Sequence, residues 1–314
     1  MSRRGRKLDD AARAAWLYYV GGMRQDQIAD EMGVSRQTAQ RLVAQAMSEG
    51  LVRVRVDHPF AICMELAAQL KEKWNLSLAE VSPSVGGAAA VAMATADSIE
   101  RWLTQTDSVT LAIGTGSSLR AAVEELPHID CPQHRVVSLT GNIAPDGSAT
   151  YNNVLFTLSD VVTAKAYPLP IPVIARTRAE RDMLHSQPGV QRAIAASSAA
   201  CVAYVGIGAI GAGAPLVLDG FLTAAEIDAL QAAGGVGEIL GRAHDHVGRE
   251  VIVTTSERVA SAPLPATESC LVIGVAYGRD KLQAIAGALR GGLISGLITD
   301  EPTAQQLLAL PTGI

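Results

Sequence analysis

The sequence predicts an α + α/β chain, with an N-terminal helix-turn-helix domain and a C-terminal, Rossmann-like, mainly parallel α/β domain. Three observations predict it. Apolar residues recur at helical spacing through residues 8–48, with breaks at Gly21-Gly22 and Gly33. Beyond residue 108, short apolar runs end in glycine-containing turns that lead into helical patterns. Hydrophobic residues make up 48% of the 314 positions but aromatics only 4%, which suits tightly packed α/β layers better than a β-sandwich. The length itself suggests two domains.

In the first helix, Leu8, Ala12, Ala15, Trp16 and Tyr19 fall at helical spacing and are expected to face inward. A second, short helix reads Gln25–Met32 and buries Ile28, Ala29 and Met32. Gly33 makes the turn, Val34 packs inward, and Ser35 stands where an N-cap belongs. The third helix runs from about Arg36 to Ser48, with Ala39, Leu42, Val43 and Ala46 on one face. Arg36, Gln37, Gln40, Arg41 and Ala44 lie on the other. That face has the composition of a recognition helix. Arg bonds guanine edges in bidentate fashion, Gln does the same at adenine, and small Ala44 permits close approach to a major groove. Ser35 and Thr38 stand where a helix N-terminus favours phosphate. The candidate DNA contacts are therefore Ser35, Arg36, Gln37, Thr38, Gln40 and Arg41. The rival reading is an amphipathic hairpin whose polar face only meets water. The order of short helix, glycine turn, serine cap and Arg/Gln-rich helix favours DNA.

Charge distribution agrees. The whole chain carries −5, but residues 1–57 hold ten Lys/Arg against seven Asp/Glu, and the remainder holds sixteen against twenty-four. A basic head on an acidic body confines nucleic-acid binding to one end.

Leu51–Val56 alternates apolar and basic residues, as in a short strand or wing; Arg53 and Arg55 either touch the DNA backbone or face solvent. His58-Pro59 breaks the chain, and a connector helix follows with Ile62, Leu66, Leu70 and Trp74 on one side. It either docks on the large domain or pairs with a second subunit. The expected divisions are 1–57 for DNA binding, 58–78 for the connector and 79–314 for the large α/β domain. The Ala/Gly stretch near Gly86–Ala94 reads as packed helix and not as linker.

In the large domain, strands are expected at Val109–Ile113, Val136–Leu139, Val202–Val205, Leu271–Val275 and Leu297–Thr299. Each leads into a turn or helix, including a helix over Asp280–Arg290 and a last one from near Thr303. Ligands of such sheets bind at the carboxyl ends of the strands. Gly114-Thr115-Gly116-Ser117-Ser118 is the best local candidate for an anion cradle: glycines let amides converge, hydroxyls add donors, and a helix N-terminus follows. It lacks the Gly-Lys-Ser/Thr ending of a P-loop, and Leu119 stands where G-x-G-x-x-G has its last glycine. Alone, such a turn is equally a tight turn or a binding loop.

The combined pattern resembles the SorC family of sugar-responsive bacterial regulators. The resemblance is carried by Ala14–Met23 and the helix-turn-helix, Tyr151–Leu155, Val236–Arg242, Lys281–Ile285 and Ala288–Ile294, closed by Leu297–Glu301. It implies an effector domain related to sugar-phosphate isomerases and glucosamine-6-phosphate deaminases, assembly as a tetramer, and operator affinity altered by a phosphorylated sugar or polyol. It also implies that Gly114–Ser118 cradles the phosphate, that Glu238 and Lys281 contact the ligand, and that Asn153 lines or supports the pocket. Lys281 can give phosphate a point charge and Glu238 can accept from hydroxyls. Their rival roles are a solvated helix residue and first-turn helix stabilisation. Arg290 reads as a structural anchor of a helix C-terminus. Arg24 departs from the family, whose members often place Thr before the second helix as a cap.

Other classes are disfavoured. No apolar run follows the basic start as in a signal peptide, none is long enough to span a membrane, and a cytoplasmic protein is expected. Cys63, Cys131, Cys201 and Cys270 form no Cys-x-x-Cys pair, so neither a metal site nor a disulfide framework is expected, and no cofactor. A sugar-phosphate enzyme needs a poised acid–base pair, and the strand-end turns offer no compact Asp/His/Glu set. His244-Asp245-His246 is the one tight titratable cluster, expected in a surface turn beside Gly248. A purely architectural DNA protein would not need so large an acidic α/β domain.

Overall fold

The structure, a computed structural model, describes residues 3–52, 61–144, 147–148 and 154–312. It divides into two units, residues 1–58 and 59–314.

The smaller unit contains α1 (Arg3–Tyr19), α2 (Gln25–Met32) and α3 (Arg36–Ser48). Gly33 takes the left-handed conformation (φ 65°) that ends α2, and Ser35 starts α3 by accepting from the Thr38 amide at 3.2 Å. At α2, Gln27 Oε1 accepts from the Arg24 amide at 2.9 Å. The Arg24 guanidinium has no acceptor with which to return the favour, so only half of a capping box forms. The buried face of α1 differs from the expected one. Ala11, Ala14, Ala15 and Leu17 pack against Ile28, Ala29, Ala39, Leu42, Val43 and Ala46, while Trp16 and Tyr19 stay 59% and 42% exposed. An alanine seam lets α1 approach α3 closely, and shape complementarity there outweighs the larger transfer energy of the aromatics. The possible wing residues Arg53 and Arg55 lie outside the described residues.

The larger unit begins with α4 (Ala61–Trp74), which packs on β1 (Leu78–Ser82) and on the last helix, α13 (Glu301–Ala309). Cys63, Leu66, Leu70 and Trp74 are its buried side; Ile62 points outward. Between β1 and α13 the chain runs α5 (Gly87–Leu103), β2 (Thr110–Ile113), α6 (Ser117–Glu124), β3 (Arg135–Ile143), α7 (Val154–Ser159), β4 (Lys165–Pro172), α8 (Arg178–Ser186) and α9 (Pro188–Ser198). It continues through β5 (Val202–Gly206), β6 (Gly208–Ala209), α10 (Pro215–Leu218), α11 (Ala224–Ala232), β7 (Gly237–Ile239), β8 (Arg242–His244), β9 (Leu271–Val275), α12 (Leu282–Arg290) and β10 (Gly296–Asp300).

Seven strands form a parallel sheet in the order β1-β10-β9-β5-β2-β3-β4. Alternate residues feed two cores. Ala203 and Val205 of β5 join one, Val202 and Tyr204 the other, as expected for strands covered on both faces. The helical stretch from Gly86 is packed: Val91, Ala92 and Ala96 of α5 are buried. Sequence reading overlooked β1 and β4. Pro168, Pro170 and Pro172 disguise β4, yet it is an edge strand, where alternate amides face away from the neighbour and proline is tolerated. A separate antiparallel sheet, β6-β7-β8, was also overlooked because its strands are two or three residues long.

From β2 the chain winds outward through β3 and β4, then returns to lay β5 on the opposite side of β2. The sheet therefore has its switch point between β2 and β5, where the following loops diverge and leave a crevice.

Candidate functional site

In the larger unit the crevice is a cavity with about 90 Å³ of room for the centres of water-sized molecules, enough for several waters. Its floor comes from strand ends: Thr115–Leu119 after β2, Gly206–Gly208 after β5, Val275 of β9, and Thr140 of β3. Gly116 occupies φ +133°, a conformation L side chains rarely adopt, and stands at the N-terminus of α6 without a side-chain cap. Among the described residues no side chain caps the first amides of α6, and a helix N-terminus favours an anion. Gly114 stands one step behind: its amide donates to the Tyr204 carbonyl at 2.8 Å, and a β-carbon there would lie 3.1 Å from Leu240 Cδ2.

Glu238 and Lys281 line the same cavity. Glu238 sits on β7, where Gly208 is its cross-strand partner; a β-carbon at Gly208 would come within 2.4 Å of Glu238 Oε1. A side chain at Gly208 would have to push the carboxylate aside. Glu238 Oε2 accepts from the Gly241 amide at 2.8 Å. Burial pushes the Glu238 carboxyl above its usual range, against the Gly241 bond and the Lys281 charge. Lys281 ends a short 3₁₀ turn and precedes α12; burial lowers its ammonium pKa, and Glu238 opposes the fall. The two form a partly desolvated pair of opposite sign facing a set of amides and hydroxyls. Such a site can hold an anion at the cradle and accept from hydroxyls at the carboxylate.

Sequence reasoning therefore brought together Thr115, Gly116, Ser117, Ser118, Glu238 and Lys281. Asn153 lies outside the described residues. The apolar wall was missed: Pro215, Leu216 and Phe221, with Asp219 among them. Its available signal was Pro215 opening a short helix and Gly220 (φ +75°) closing it.

The histidine cluster divides. His244 is buried on β8 against Gly237 and Gly287 and is not in a surface turn; only Asp245 onward makes that turn, with Asp245 accepting from the Val247 and Arg249 amides. Burial lowers the His244 pKa, keeping the ring neutral. Arg290 ends α12, donates to the carbonyls of His246 and Pro311, and lies over the Trp74 ring at 5.9 Å. No group of three metal-ligating side chains occurs among the described residues.

In the smaller unit, Gln37, Thr38, Gln40, Arg41 and Ala44 line a shallow concavity on the outer face of α3. Arg36, Gln37, Gln40, Arg41 and Ala44 are exposed, and neither arginine pairs with a carboxylate among the described residues. Ser35 and Thr38 bond to each other, Oγ to Oγ1, at 2.9 Å.

Two family models match the chain: "Putative sugar-binding domain" over residues 58–309, and a homeodomain-like domain over residues 6–55. The chain belongs to the SorC family of sugar-responsive transcriptional regulators. Among its relatives, the erythritol catabolism regulatory protein EryD of Brucella abortus is 32% identical, covering 96% of this chain and 97% of the relative. Transcriptional regulator LsrR of Escherichia coli K12 is 31% identical, with 96% and 94% covered. The full-length sorbitol operon regulator SorC from Klebsiella pneumoniae superposes with a TM-score of 0.73 at 27% identity, covering 95% and 97%. These SorC-family relatives are transcriptional regulators. No described helix is long and apolar enough to cross a membrane.

Proposed function

We propose that this SorC-family regulator represses a polyol or sugar catabolic operon in the cytoplasm and releases it when a phosphorylated polyol or sugar fills the strand-end cavity. The observation that carries the reading is the meeting of an uncapped α6 N-terminus, Lys281 and Glu238 in one cavity at the sheet's switch point. The phosphate sits on the amides and hydroxyls of Thr115–Ser118 with Lys281 supplying charge, and carbon-bound hydroxyls donate to Glu238. Operator DNA meets Ser35, Arg36, Gln37, Thr38, Gln40 and Arg41, with Arg and Gln at base edges. The domains divide as 1–57, 58–78 and 79–314, and the working assembly is a tetramer. The relatives named for erythritol and sorbitol make four- to six-carbon polyol phosphates the first compounds to try.

The chain senses its ligand without converting it. For the ligand to control DNA binding, it must have unequal affinity for two states of the protein. Purified full-length protein is titrated on fragments of its own promoter region, with and without erythritol and sorbitol phosphates, and the same incubations are assayed for product. A retarded complex that one of these compounds loosens, with no product, is the expected result. Product formation, or indifference to every promoter fragment, would overturn the proposal.

A further inference from the structure

We propose that Cys201 and Cys270 form an oxidisable dithiol that closes into an intrachain disulfide when the protein meets a peroxide. The two residues immediately precede β5 and β9, which are hydrogen-bonded neighbours in the parallel sheet. Val202 pairs with Leu271 in register, and the Leu271 amide donates to the Cys201 carbonyl at 3.0 Å, so the two cysteines are the next pair down the ladder. Neighbouring strands run about 4.8 Å apart. That spacing falls inside the roughly 4.4–6.8 Å between α-carbons that a disulfide spans.

Both side chains face the same way. Cys270 lies in the core that also takes Ala203 of β5 and Val272 of β9. The two-residue period of a strand carries Cys201 to that side as well. Access is asymmetric: Cys201 is exposed, whereas Cys270 is 3% exposed. Cys63 is buried on α4 and Cys131 in the connection between α6 and β3, so the four cysteines contain one such pair.

The chemistry follows from that asymmetry. The Cys201 thiolate attacks hydrogen peroxide, an S–O bond forms, the O–O bond breaks, and the departing hydroxide is protonated to water. The Cys270 thiolate then attacks the Cys201 sulfur; the S–S bond forms, the S–O bond breaks, and a second hydroxide leaves and becomes water. Two thiols lose two electrons, and one peroxide gains them. Burial and the adjacent Cys201 sulfur push the Cys270 thiol up to about 11, so the closing step accelerates as pH rises. From these cysteines, β5 and β9 run toward Gly206–Gly208 and Val275–Lys281, so the disulfide staples together two strands that carry the cavity floor.

The test is mass spectrometry of the full-length chain after hydrogen peroxide. The wild type should become about 2 Da lighter, yield a Cys201–Cys270 cross-linked peptide, remain one chain on a non-reducing gel, and revert with dithiothreitol. Cys270→Ala should instead gain oxygen at Cys201, and Cys201→Ser should leave Cys270 unmodified. Oxygen gained at Cys201 in the wild type without cross-link, or Cys201 linking two chains, would overturn the proposal.

Discussion

Helix α3 and helix α6 each open toward a surface proposed to meet an anion, but their first turns are built in different ways. At α3, Ser35 accepts from the Thr38 amide and its hydroxyl also bonds the Thr38 hydroxyl. At α6, Gly116 contributes no side chain, and no side-chain cap forms. The first helix start is capped by its own serine; the second has no side-chain cap among the described residues and opens at a cavity. The difference separates two modes of recognition. A capped helix reads bases with the side chains of its outer face, here Arg36, Gln37, Gln40 and Arg41, with Ser35 and Thr38 proposed to meet the DNA at its first turn. An open one recognises charge with backbone amides, which any phosphate would satisfy, so discrimination among ligands falls to Glu238 and the wall around Leu216, Asp219 and Phe221.

The harshest way to break this contrast is to put a negative charge into the open start. Ser117→Asp adds a carboxylate at the first position of α6, which favours the helix by roughly 0.3–1 kcal/mol through its dipole. A bound phosphate would meet like charge at a cost of several kcal/mol, on the order of a hundredfold or more in affinity. The expected outcome is a fold as stable as the wild type, intact operator binding, and no effector response in a calorimetric titration. A retained response would move the anion away from α6.

At the sealed helix, Arg41→Ala should weaken operator binding by about 1–3 kcal/mol and leave effector affinity unchanged. Salt dependence sharpens the result. If Arg41 reads a base edge, its removal relaxes sequence preference at one position. If it holds a phosphate, its removal lowers the salt slope by about one and weakens all sequences alike. Gel-shift titrations at several salt concentrations, on operator and on mismatched DNA, distinguish the two.

How much of this was legible in the sequence follows from the range over which each signal acts. Ser35, Gly33 and the polar face of α3 are local, set by cap and period, and the structure has them where the pattern put them. The cradle loop was equally local. The face of α1 was misread because hydrophobicity ranks Trp16 and Tyr19 above alanine, while the packing turns on how closely two backbones approach. In the larger unit, β4 was hidden by prolines that only an edge position allows, and nothing along the chain marks which strand is an edge. The cavity wall comes from a loop about a hundred residues from the cradle, and only the sheet's switch point explains why the two meet.

The carboxylate that faces the open start gives a milder test. Glu238 has its pKa raised in the folded chain, so the fold favours its neutral form. That contribution is complete below the ordinary carboxylate range and is lost as pH rises through the raised value. Glu238→Gln should therefore melt above the wild type near neutral pH without effector, the gap closing in acid, while effector affinity drops roughly tenfold. In the wild type, affinity should rise with pH as Glu238 ionises and fall again at higher pH as Lys281, held below its usual value, loses its proton. A flat profile would detach both groups from the ligand.

The smallest expected effect tests the seal itself. Ser35→Ala removes the oxygen that accepts from the Thr38 amide, and such a cap is worth about 1 kcal/mol. If sealing is its whole role, thermal unfolding of the smaller unit should come earlier by that amount, and operator affinity should fall only as far as the fraying of α3 dictates. Ser118→Ala supplies the contrast. Because the α6 N-terminus relies on no side-chain cap, losing that hydroxyl should leave stability nearly unchanged and weaken only the effector response. An affinity loss for operator in Ser35→Ala well beyond its loss of stability is the result expected of the proposed DNA contact at Ser35; a loss no larger than fraying explains would leave the reading to the outer face alone.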